Sequence, residues 1–370
     1  MQATHVVIFR TAGSYLDYNS YNCQELGLAK ALVKRGFKTT LIMCGPEQLH
    51  IAYSTEGGHV DIYYLPCKGI HQTLSVFKGW QQLLIRLQPD ILQVHDMGIL
   101  STYLVIRWAK KKGLKTILIQ GGYETTQKPV LKQYEQLFNR LLGKELLSKV
   151  AGIGCKTKAA AEYLVRYTNK ATSLTPVGLD ESKFLHQDQK TAFKEKNGLE
   201  GKKVLLYVGR MEARRNPLFL ITLMDFLPDD YVLLLVGDGP LMPDIKARMS
   251  SKVMILGKRS QEELPEIYEA ADLFLLASNY EIYGMVIMEA MYFGLPVIST
   301  ATAGANTIIS PETGIIIPNL DAPAWISAIK RAMQLVPQMK PQCESYIREH
   351  LVWDKAVDAF INLYNYNRVR

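Results

Sequence analysis

The chain has 370 residues, of which 48% are hydrophobic and 21% charged, and this is the composition of a globular protein long enough for two domains of ordinary size. It contains no run of about 18 uncharged apolar residues, and it enters His5-Val-Val-Ile-Phe without a basic, hydrophobic leader, so we expect a cytoplasmic protein without a membrane-spanning helix. Its five cysteines are scattered and never form a Cys-x-x-Cys pair, which suggests neither a disulfide framework nor a zinc site, and we interpret all five as small core or surface residues.

The net charge of +8 is carried by the first half of the chain. Residues 1–180 contain 22 Lys and Arg against 12 Asp and Glu, a net charge of +10, whereas residues 181–370 contain 21 against 23, a net charge of −2. A basic domain attracts anionic lipid surfaces, nucleic acid or acidic glycans. An ordinary solvated surface is the competing interpretation, because the longest basic run is only Lys110-Lys-Lys112.

In the first half of the chain, short β-branched runs alternate with helical patterns. The predicted strands are 5–9, 38–43, 62–65, 91–94 and 116–119, and the predicted helices are 24–34, 73–87, 99–111 and 131–147. This alternation is typical of βαβ units and a parallel sheet.

The same alternation restarts after residue 200. The predicted strands are 203–208, 231–236, 253–256, 273–276, 297–299 and 314–317, and the predicted helices are 217–226, 264–270, 285–293 and 322–334. We therefore expect an α/β protein of two doubly wound domains, residues 1–180 and 181–351, with a last helix over about 352–370. Ligands of such sheets bind beyond the carboxyl ends of the strands, so we expect a ligand in a cleft between the two domains.

The most informative segment is Ser278 to Pro296, which holds two carboxylates, Glu281 and Glu289, in an otherwise almost uncharged run. A lone ionised carboxylate in a buried apolar helix is costly unless it is paired or faces a polar ligand. The free backbone N–H groups at the start of this helix would form an anion site. They belong to Gly284, Met285 and Val286. We interpret this layout as a site for a diphosphate between hydroxyl-bearing groups.

This segment resembles the Glu-x7-Glu motif of the retaining glycosyltransferases of the GT-B fold, in particular the family-4 group that uses nucleotide-sugar donors. Further segments are similar to the family in the same order, namely residues 176–184, 207–218, 235–240, 271–274, 294–300 and 313–318. The resemblance implies two Rossmann-like domains facing a central cleft, with the acceptor on the N-terminal domain and the nucleotide sugar on the C-terminal one. It also implies that the last helix crosses back onto the N-terminal domain.

The resemblance assigns roles to four charged residues. Glu289 would bind the ribose hydroxyls of the donor, Glu281 a hydroxyl of the transferred sugar, and Arg210 and Arg215 the diphosphate. Relatives usually have Lys at the position of Arg215, and this change keeps the charge but alters the geometry. Two surface arginines, and a buried Glu289 that accepts from a backbone amide, are the competing interpretations. Asn216 is expected to cap the helix that follows the arginines.

In the first half, His95 directly follows the predicted strand 91–94, at a position where relatives have a histidine facing the reacting sugar. His95 is expected to position the donor sugar or the acceptor and to stabilise charge near the anomeric carbon, with Asp96 as the competing candidate and a structural histidine as the alternative. Gly13 would let the loop after the first strand approach the phosphates or the sugar. Gly121 and its neighbours, up to Glu124, would contact the acceptor or form a plain turn. Lys258 follows a strand end at which relatives contact the base.

The chain departs from the family pattern at two loops. It has Ala12-Gly13 where relatives often have two glycines, and Ala303-Gly-Ala-Asn-Thr307 where they have Gly-Gly followed by Glu, which leaves the sugar undetermined. It has no Asp-x-Asp pair, so we expect a metal-independent reaction without a cofactor. The charge of the leaving group would be met by the two arginines and the helix N-terminus.

We interpret the chain as a retaining glycosyltransferase that moves a sugar from a nucleoside-diphosphate donor, of UDP or GDP type, to a hydroxyl of a glycan or lipid-linked acceptor in envelope glycan, polysaccharide or glycolipid biosynthesis. The basic first domain would bring it to the anionic inner face of a membrane, with the predicted helix 73–87 supplying apolar contact or else packing into the core, and no nucleic acid partner is expected. The alternatives are a nucleotide-sugar epimerase of the same fold and a non-catalytic nucleotide-sugar-binding protein.

Overall fold

The computed structural model describes residues 3–19, 23–123, 129–184 and 190–365, without the side chains of residues 129, 130, 190 and 191. The chain divides into two compact units. Unit 1 runs from the N-terminus to Gly178 and resumes at Trp353, and unit 2 spans Leu179–Val352. The predicted domain limits, after residues 180 and 351, lie close to these divisions.

Unit 1 is built on a mostly parallel sheet with strands in the order β3-β4-β2-β1-β6-β7-β8-β9, and with β5 beside β4. Its strands are β1 (His5–Phe9), β2 (Lys38–Gly45), β3 (Leu49–Thr55), β4 (Gly58–Gly69), β5 (Ser75–Phe77), β6 (Ile91–His95), β7 (Thr116–Gln120), β8 (Gly152–Cys155) and β9 (Ser173–Leu174). Its helices are α1 (Gln24–Lys34), α2 (Trp80–Leu87), α3 (Leu100–Lys111), α4 (Pro129–Lys149), α5 (Lys158–Val165) and, after unit 2, α13 (Trp353–Asn365).

The central strand β1 is buried at every residue, as expected for a parallel strand covered on both faces. It pairs in parallel with β2 on one side and with β6 on the other. The chain therefore builds the sheet outward from β1 in one direction and outward from β6 in the other. The point between β1 and β6, where the order reverses, is the switch point of unit 1.

The predicted helix 73–87 is wrong in its first half. Residues Ser75–Phe77 form β5, which pairs antiparallel with the end of β4, and the helix α2 begins only at Trp80. Gly79 precedes α2 with a φ of 70°, a left-handed conformation that interrupts any continuous helix. The apolar spacing of Leu74 to Leu84 thus spans a strand and a helix, and it forms no single amphipathic face.

Two further features of unit 1 were not predicted. The edge strand β3 pairs antiparallel with β4, and it was missed because all of its side chains are exposed or half-buried. Cys44 and Cys67 form a disulfide, which corrects the expectation that all five cysteines are unpaired. The pairing arises because β2 and β4 run side by side, with Cys44 opposite Leu65, so that Cys67 lies two residues further along the neighbouring strand. Cys23, Cys155 and Cys343 are free and buried.

The last helix, α13, packs against α1 within unit 1. Lys34 and Arg35, at the C-terminal end of α1, form ion pairs with Asp354 and Asp358. The last part of the predicted helix, residues 366–370, lies outside the described residues.

Unit 2 is built on a fully parallel sheet in the order β12-β11-β10-β13-β14-β15. Its strands are β10 (Lys203–Val208), β11 (Tyr231–Val236), β12 (Val253–Gly257), β13 (Leu273–Leu276), β14 (Val297–Thr300) and β15 (Gly314–Ile317). Its helices are α6 (Lys190–Lys196), α7 (Pro217–Met224), α8 (Met242–Ala247), α9 (Leu264–Ala270), α10 (Met285–Tyr292), α11 (Ala303–Ile308) and α12 (Ala322–Tyr346). The switch point of unit 2 lies between β10 and β13.

The helix α12 continues well beyond its predicted end at residue 334. It includes Pro337 and Pro341, each of which removes one helical hydrogen bond and argues for a break. The helix persists because its buried face, including Trp325, Ile329 and Met339, packs on unit 2 along both parts. A π-helical turn, Ile347–Leu351, follows it.

Candidate functional site

The switch point of unit 2 brings together three of the predicted charged residues. The loop after β10 carries Arg210 and Arg215, and the loop after β13 carries Glu281. These strands are neighbours, so their loops leave the same edge of the sheet side by side. In open α/β sheets this crevice is where ligands bind.

Glu281 is nearly buried, with 8% of its surface exposed, and it is bound on one oxygen by two groups. Arg215 Nη1 lies 3.0 Å from Glu281 Oε1, and the Ser278 hydroxyl donates to the same oxygen at 3.0 Å. A cation and a hydroxyl thus take the place of water around this nearly buried carboxylate. The residue predicted to bind phosphate and the residue predicted to bind a sugar hydroxyl are therefore direct partners.

Glu212 forms ion pairs with the arginines of the loop after β10. This role of Glu212 was not predicted. Its Oε1 lies 2.7 Å from Arg214 Nε and 3.5 Å from Arg215 Nε, and its Oε2 lies 3.4 Å from Arg210 Nε. Three guanidinium groups thus surround one carboxylate, and the cluster keeps an excess of positive charge. The side chain of Arg210 is 65% exposed and accessible to an anion. The run Arg210 to Arg215 was the sequence signal for Glu212 and Arg214, but the spacing alone did not show which groups would pair.

Asn216 connects the two loops. Its side chain does not cap α7, so the prediction of a side-chain cap is wrong. It adopts a left-handed φ of 50°, and its Nδ2 donates to Ala277 O and Asn279 Oδ1, both at 2.8 Å. The backbone N–H of Asn279 donates in turn to Arg214 O at 2.8 Å. These bonds fix the arginine loop against the loop of Glu281.

Glu289 lies in α10 with 1% of its surface exposed, and its carboxylate has a side-chain partner. The hydroxyl of Tyr268 donates to Glu289 Oε2 at 2.8 Å, and the Tyr268 ring stacks on Phe293 at 5.4 Å between centroids. Burial, followed by the charge of Glu289, raises the pKa of Tyr268 well above its usual value, so the phenol stays a donor. The sequence required a partner for Glu289 but could not identify Tyr268, 21 residues away.

The start of α10 is the predicted anion site. Gly284 is the residue before the helix, with a left-handed φ of 79°, and Met285 and Val286 are half-buried in the first turn. The segment 303–307, which differs from the family pattern, forms most of the short helix α11 beside this loop. A Cβ at Gly304 would overlap the carbonyl of Tyr283, so α11 approaches the loop closely. Lys258 is exposed after the edge strand β12, which β11 separates from β10.

In unit 1, His95 ends β6 and lies directly at the switch point with β1. Its backbone carbonyl accepts from the hydroxyls of Thr11 at 3.1 Å and Thr102 at 2.7 Å. Burial lowers the pKa of His95 to about 4, so the ring is neutral near neutral pH. The backbone of His95 is thus bound both by the loop after β1 and by the first turn of α3.

Asp96, the competing candidate, has its carboxylate engaged with backbone amides. It has a left-handed φ of 52°, and its Oδ1 accepts from Gly121 N at 2.8 Å and Gly122 N at 3.1 Å. The carboxylate thus holds the loop after β7, and the backbone amides of both glycines in the segment expected to contact the acceptor or form a plain turn bind Asp96. Glu124, named with them, lies outside the described residues.

Gly13 is required by packing within unit 1. Its N–H donates to Gln72 O at 2.9 Å, and a Cβ at this position would overlap the side chain of Ser75. The close approach predicted for Gly13 therefore exists, and its neighbour is β5. Among the residues that the structure describes, no group of three or more His, Cys, Asp or Glu side chains is arranged to hold a metal ion.

The sequence of this chain is similar to that of known glycosyltransferases. The family model described as glycosyl transferases group 1 matches residues 188–350. The UDP-Gal:alpha-D-GlcNAc-diphosphoundecaprenol alpha-1,3-galactosyltransferase of Escherichia coli is 31% identical over 208 residues, which cover 52% of this chain and 53% of that protein. The alignment thus spans about half the length of this curated relative.

Solved structures resemble the chain over nearly its whole length. The sucrose-phosphate synthase of Thermosynechococcus elongatus has a TM-score of 0.78 at 19% identity, covering 98% of each chain. The HepE protein of Anabaena, in complex with UDP, has a TM-score of 0.75 at 12% identity, covering 98% of this chain and 100% of that one. At these identities the likeness shows the fold alone, which is the α/β GT-B fold.

Proposed function

Since residues 188–350 match the family of glycosyl transferases group 1, we propose that the chain transfers a sugar from a UDP or GDP sugar to an acceptor hydroxyl with retention of anomeric configuration. The observation that carries this proposal is the cluster at the switch point of unit 2. There Arg215 and Glu281 pair at 3.0 Å beside the exposed Arg210. Guanidinium groups suit a diphosphate, and a carboxylate fixed at a crevice suits a sugar hydroxyl.

In this proposal each residue of the cluster has a distinct part. Arg210 and Arg215 hold the diphosphate together with the N–H groups at the start of α10, and Glu281 accepts from a hydroxyl of the transferred sugar. Glu289 accepts from the ribose, and Lys258 lies near the base. His95 donates a hydrogen bond near the anomeric carbon. The absence of Asp-x-Asp from the sequence supports a metal-independent departure of the diphosphate, with its charge met by the arginines.

The first experiment measures thermal stabilisation by UDP, GDP and ADP and their sugars. A nucleotide at 100 times its dissociation constant adds about 2.7 kcal/mol to stability. We expect one nucleotide family to stabilise the wild type but not Glu289→Ala. The control variant is Glu312→Ala, which should be stabilised like the wild type because Glu312 is exposed in the loop before β15. If none of these nucleotides or nucleotide sugars stabilised the folded wild type, the result would contradict the donor site.

The reaction class is tested by product analysis with the donor so identified. Retention predicts that the sugar released by slow hydrolysis first appears with the anomeric configuration of the donor, as followed by NMR. Conversion of the donor into another nucleotide sugar without acceptor would indicate an epimerase. Binding without any turnover, across acceptors, would indicate a non-catalytic binding protein.

We also propose a lipid-linked or glycan acceptor in envelope glycan, polysaccharide or glycolipid synthesis, at an anionic cytoplasmic membrane surface. The relative from Escherichia coli is named for a diphosphoundecaprenol acceptor, which supports this class. The exposed face of α4 carries Leu137 and Leu141, which are 58% and 66% exposed, beside Arg140 and Lys144. Apolar side chains flanked by cations suit an anionic interface. None of the described helices has the length and apolar character to cross a bilayer.

Vesicle sedimentation tests the membrane part separately. We expect the protein to bind phosphatidylglycerol vesicles at low salt and to bind phosphatidylcholine vesicles weakly. The double variant Leu137→Ser, Leu141→Ser should lose this binding, whereas Val165→Ser, which changes a 70% exposed apolar residue of α5, should retain it. Equal binding by all three proteins would exclude the α4 face.

A further inference from the structure

His95 has a hydrogen-bonded neighbour on its own strand, Gln93. Both side chains project from β6 on the same side, since residues two apart share a face of a strand. Gln93 Nε2 lies 3.2 Å from His95 Nε2. Gln93 is fully buried, so its amide has to find its partners within the protein.

The other end of the Gln93 amide is held by Tyr364, which lies in α13, 271 residues further along the chain. The Tyr364 hydroxyl donates to Gln93 Oε1 at 2.5 Å. Burial raises the pKa of this phenol, so it keeps its proton and stays a donor. Lys115 Nζ also donates to the backbone carbonyl of Tyr364, which fixes the end of α13 at this residue.

These contacts determine the direction of the hydrogen bond to His95. With its oxygen accepting from Tyr364, the amide of Gln93 presents its nitrogen to the imidazole, and an amide nitrogen can only donate. His95 Nε2 must then accept with its lone pair. In a neutral imidazole the proton is consequently on Nδ1.

We propose that Gln93 and Tyr364 are positioning residues that hold His95 in the Nδ1–H tautomer. The role of the tautomer in sugar transfer rests on the function proposed above. In that role the ring offers an N–H donor, which suits a sugar hydroxyl or a phosphate oxygen, and it offers no free basic nitrogen. His95 thus stabilises negative charge and does not act as a general base.

The test measures the tautomer directly, in the whole 370-residue chain without ligand. Two-bond proton–nitrogen NMR of 15N-histidine-labelled protein identifies which ring nitrogen carries hydrogen, and His95→Gln assigns the signal. We expect an unprotonated Nε2 and a protonated Nδ1 in the wild type. A proton on Nε2 would overturn the proposal.

Two variants and a control make this test specific. In Gln93→Glu both carboxylate oxygens accept, so one should accept a hydrogen bond from the Tyr364 hydroxyl and the other should require a proton on His95 Nε2, and the tautomer should reverse. Tyr364→Phe frees the amide to rotate and should give a mixture of tautomers. Tyr163→Phe removes another hydroxyl of unit 1, which accepts from Asn139 Nδ2 at 2.9 Å, and should leave His95 unchanged. An unchanged tautomer in both Gln93→Glu and Tyr364→Phe would refute the positioning role.

The kinetic outcome separates this inference from the proposed function. We expect Gln93→Glu to lower kcat about tenfold or more, because a ring with its proton on Nε2 would not present the Nδ1–H donor to the transition state. The variant should leave nucleotide-induced stabilisation unchanged. If the tautomer reverses as expected but the wild type transfers no sugar, the proposed function fails and the positioning role stands. If the wild type transfers sugar with its proton on Nε2, the positioning role fails and the proposed function stands.

Discussion

The switch points of the two units differ in how they hold their polar groups. In unit 2 the loops carry a cluster of full charges, in which Arg215 pairs with Glu281 and three arginines surround Glu212. In unit 1 burial lowers the pKa of His95 to about 4 and so keeps the ring neutral, and the amide nitrogen of Gln93 lies 3.2 Å from its Nε2. The difference indicates that the charged side chains in unit 2 are stabilised by opposite charges, whereas the neutral ring in unit 1 depends on the direction of its hydrogen bonds.

The largest effect is expected from removing the counter-charge in unit 2. Arg215→Ala removes the guanidinium that lies 3.0 Å from the nearly buried Glu281, so the free energy of unfolding should fall by about 3 kcal/mol. The rate of sugar transfer should fall by about 10²-fold or more, because the diphosphate loses a donor. Arg215→Lys should retain more of both quantities, and urea unfolding with a nucleotide-release assay measures them.

The control for this prediction is Arg259→Ala, which breaks an exposed pair with Glu263 at 2.8 Å. Exposed pairs contribute little to stability, so this variant should unfold like the wild type. If Arg215→Ala and Arg259→Ala behaved alike, the cluster in unit 2 would not depend on its counter-charges.

In unit 1 the larger effect should come from packing. Gly13→Ala places a Cβ on the side chain of Ser75 and should lower the free energy of unfolding by about 1–3 kcal/mol. Gly98→Ala is the matched control, since the atom nearest to the Cβ added at Gly98 would lie 3.6 Å away. Thermal unfolding without ligand should show a lower midpoint for Gly13→Ala alone. Equal midpoints would mean that Gly13 is conformationally tolerant and more available for a ligand.

The neutral state of His95 predicts a pH dependence of stability. Burial lowers the folded pKa to about 4, whereas an unfolded histidine titrates near 6.5, so between these values the unfolded chain binds more protons. Stability of the wild type relative to His95→Gln should therefore be constant above about pH 6.5 and should decrease as the pH falls towards 4. Nearby charges oppose one another, because Glu25 and Asp96 raise this pKa and Lys156 and Arg10 lower it. Chemical denaturation at several pH values measures the difference, and a flat difference would contradict a depressed pKa.

The smallest effect is expected where charges of unit 1 are solvated. Arg35→Ala removes the ion pair between α1 and Asp358, whose side chains are 40% and 52% exposed. The free energy of unfolding should change by less than about 1 kcal/mol, and the His95 tautomer should not change. A larger loss would show that α13 depends on its exposed charges as well as on its buried contacts.

Unit 2 was the more predictable half because its signals are local. The strand Tyr231–Val236 is a continuous buried run, and the segment from Arg210 to Arg215 places the cluster's cations within six residues. The errors occurred where packing overrides local preference, as in α12, which continues through Pro337. In unit 1 the predicted helix 73–87 failed because helical spacing of apolar residues also fits β5 followed by α2.

The sequence by itself determined the α/β class, the positions of most strands and the identity of the charged residues in unit 2. These depend on hydrophobic periodicity and on residues that lie close together along the chain. Only the tertiary structure decided that Tyr268 is the partner of Glu289, that Asn216 joins two loops, and that Tyr364 orients Gln93 beside His95. The physical reason is that a buried polar group must find a partner within about 3 Å, and the folded chain, unlike the sequence, brings distant residues to that separation.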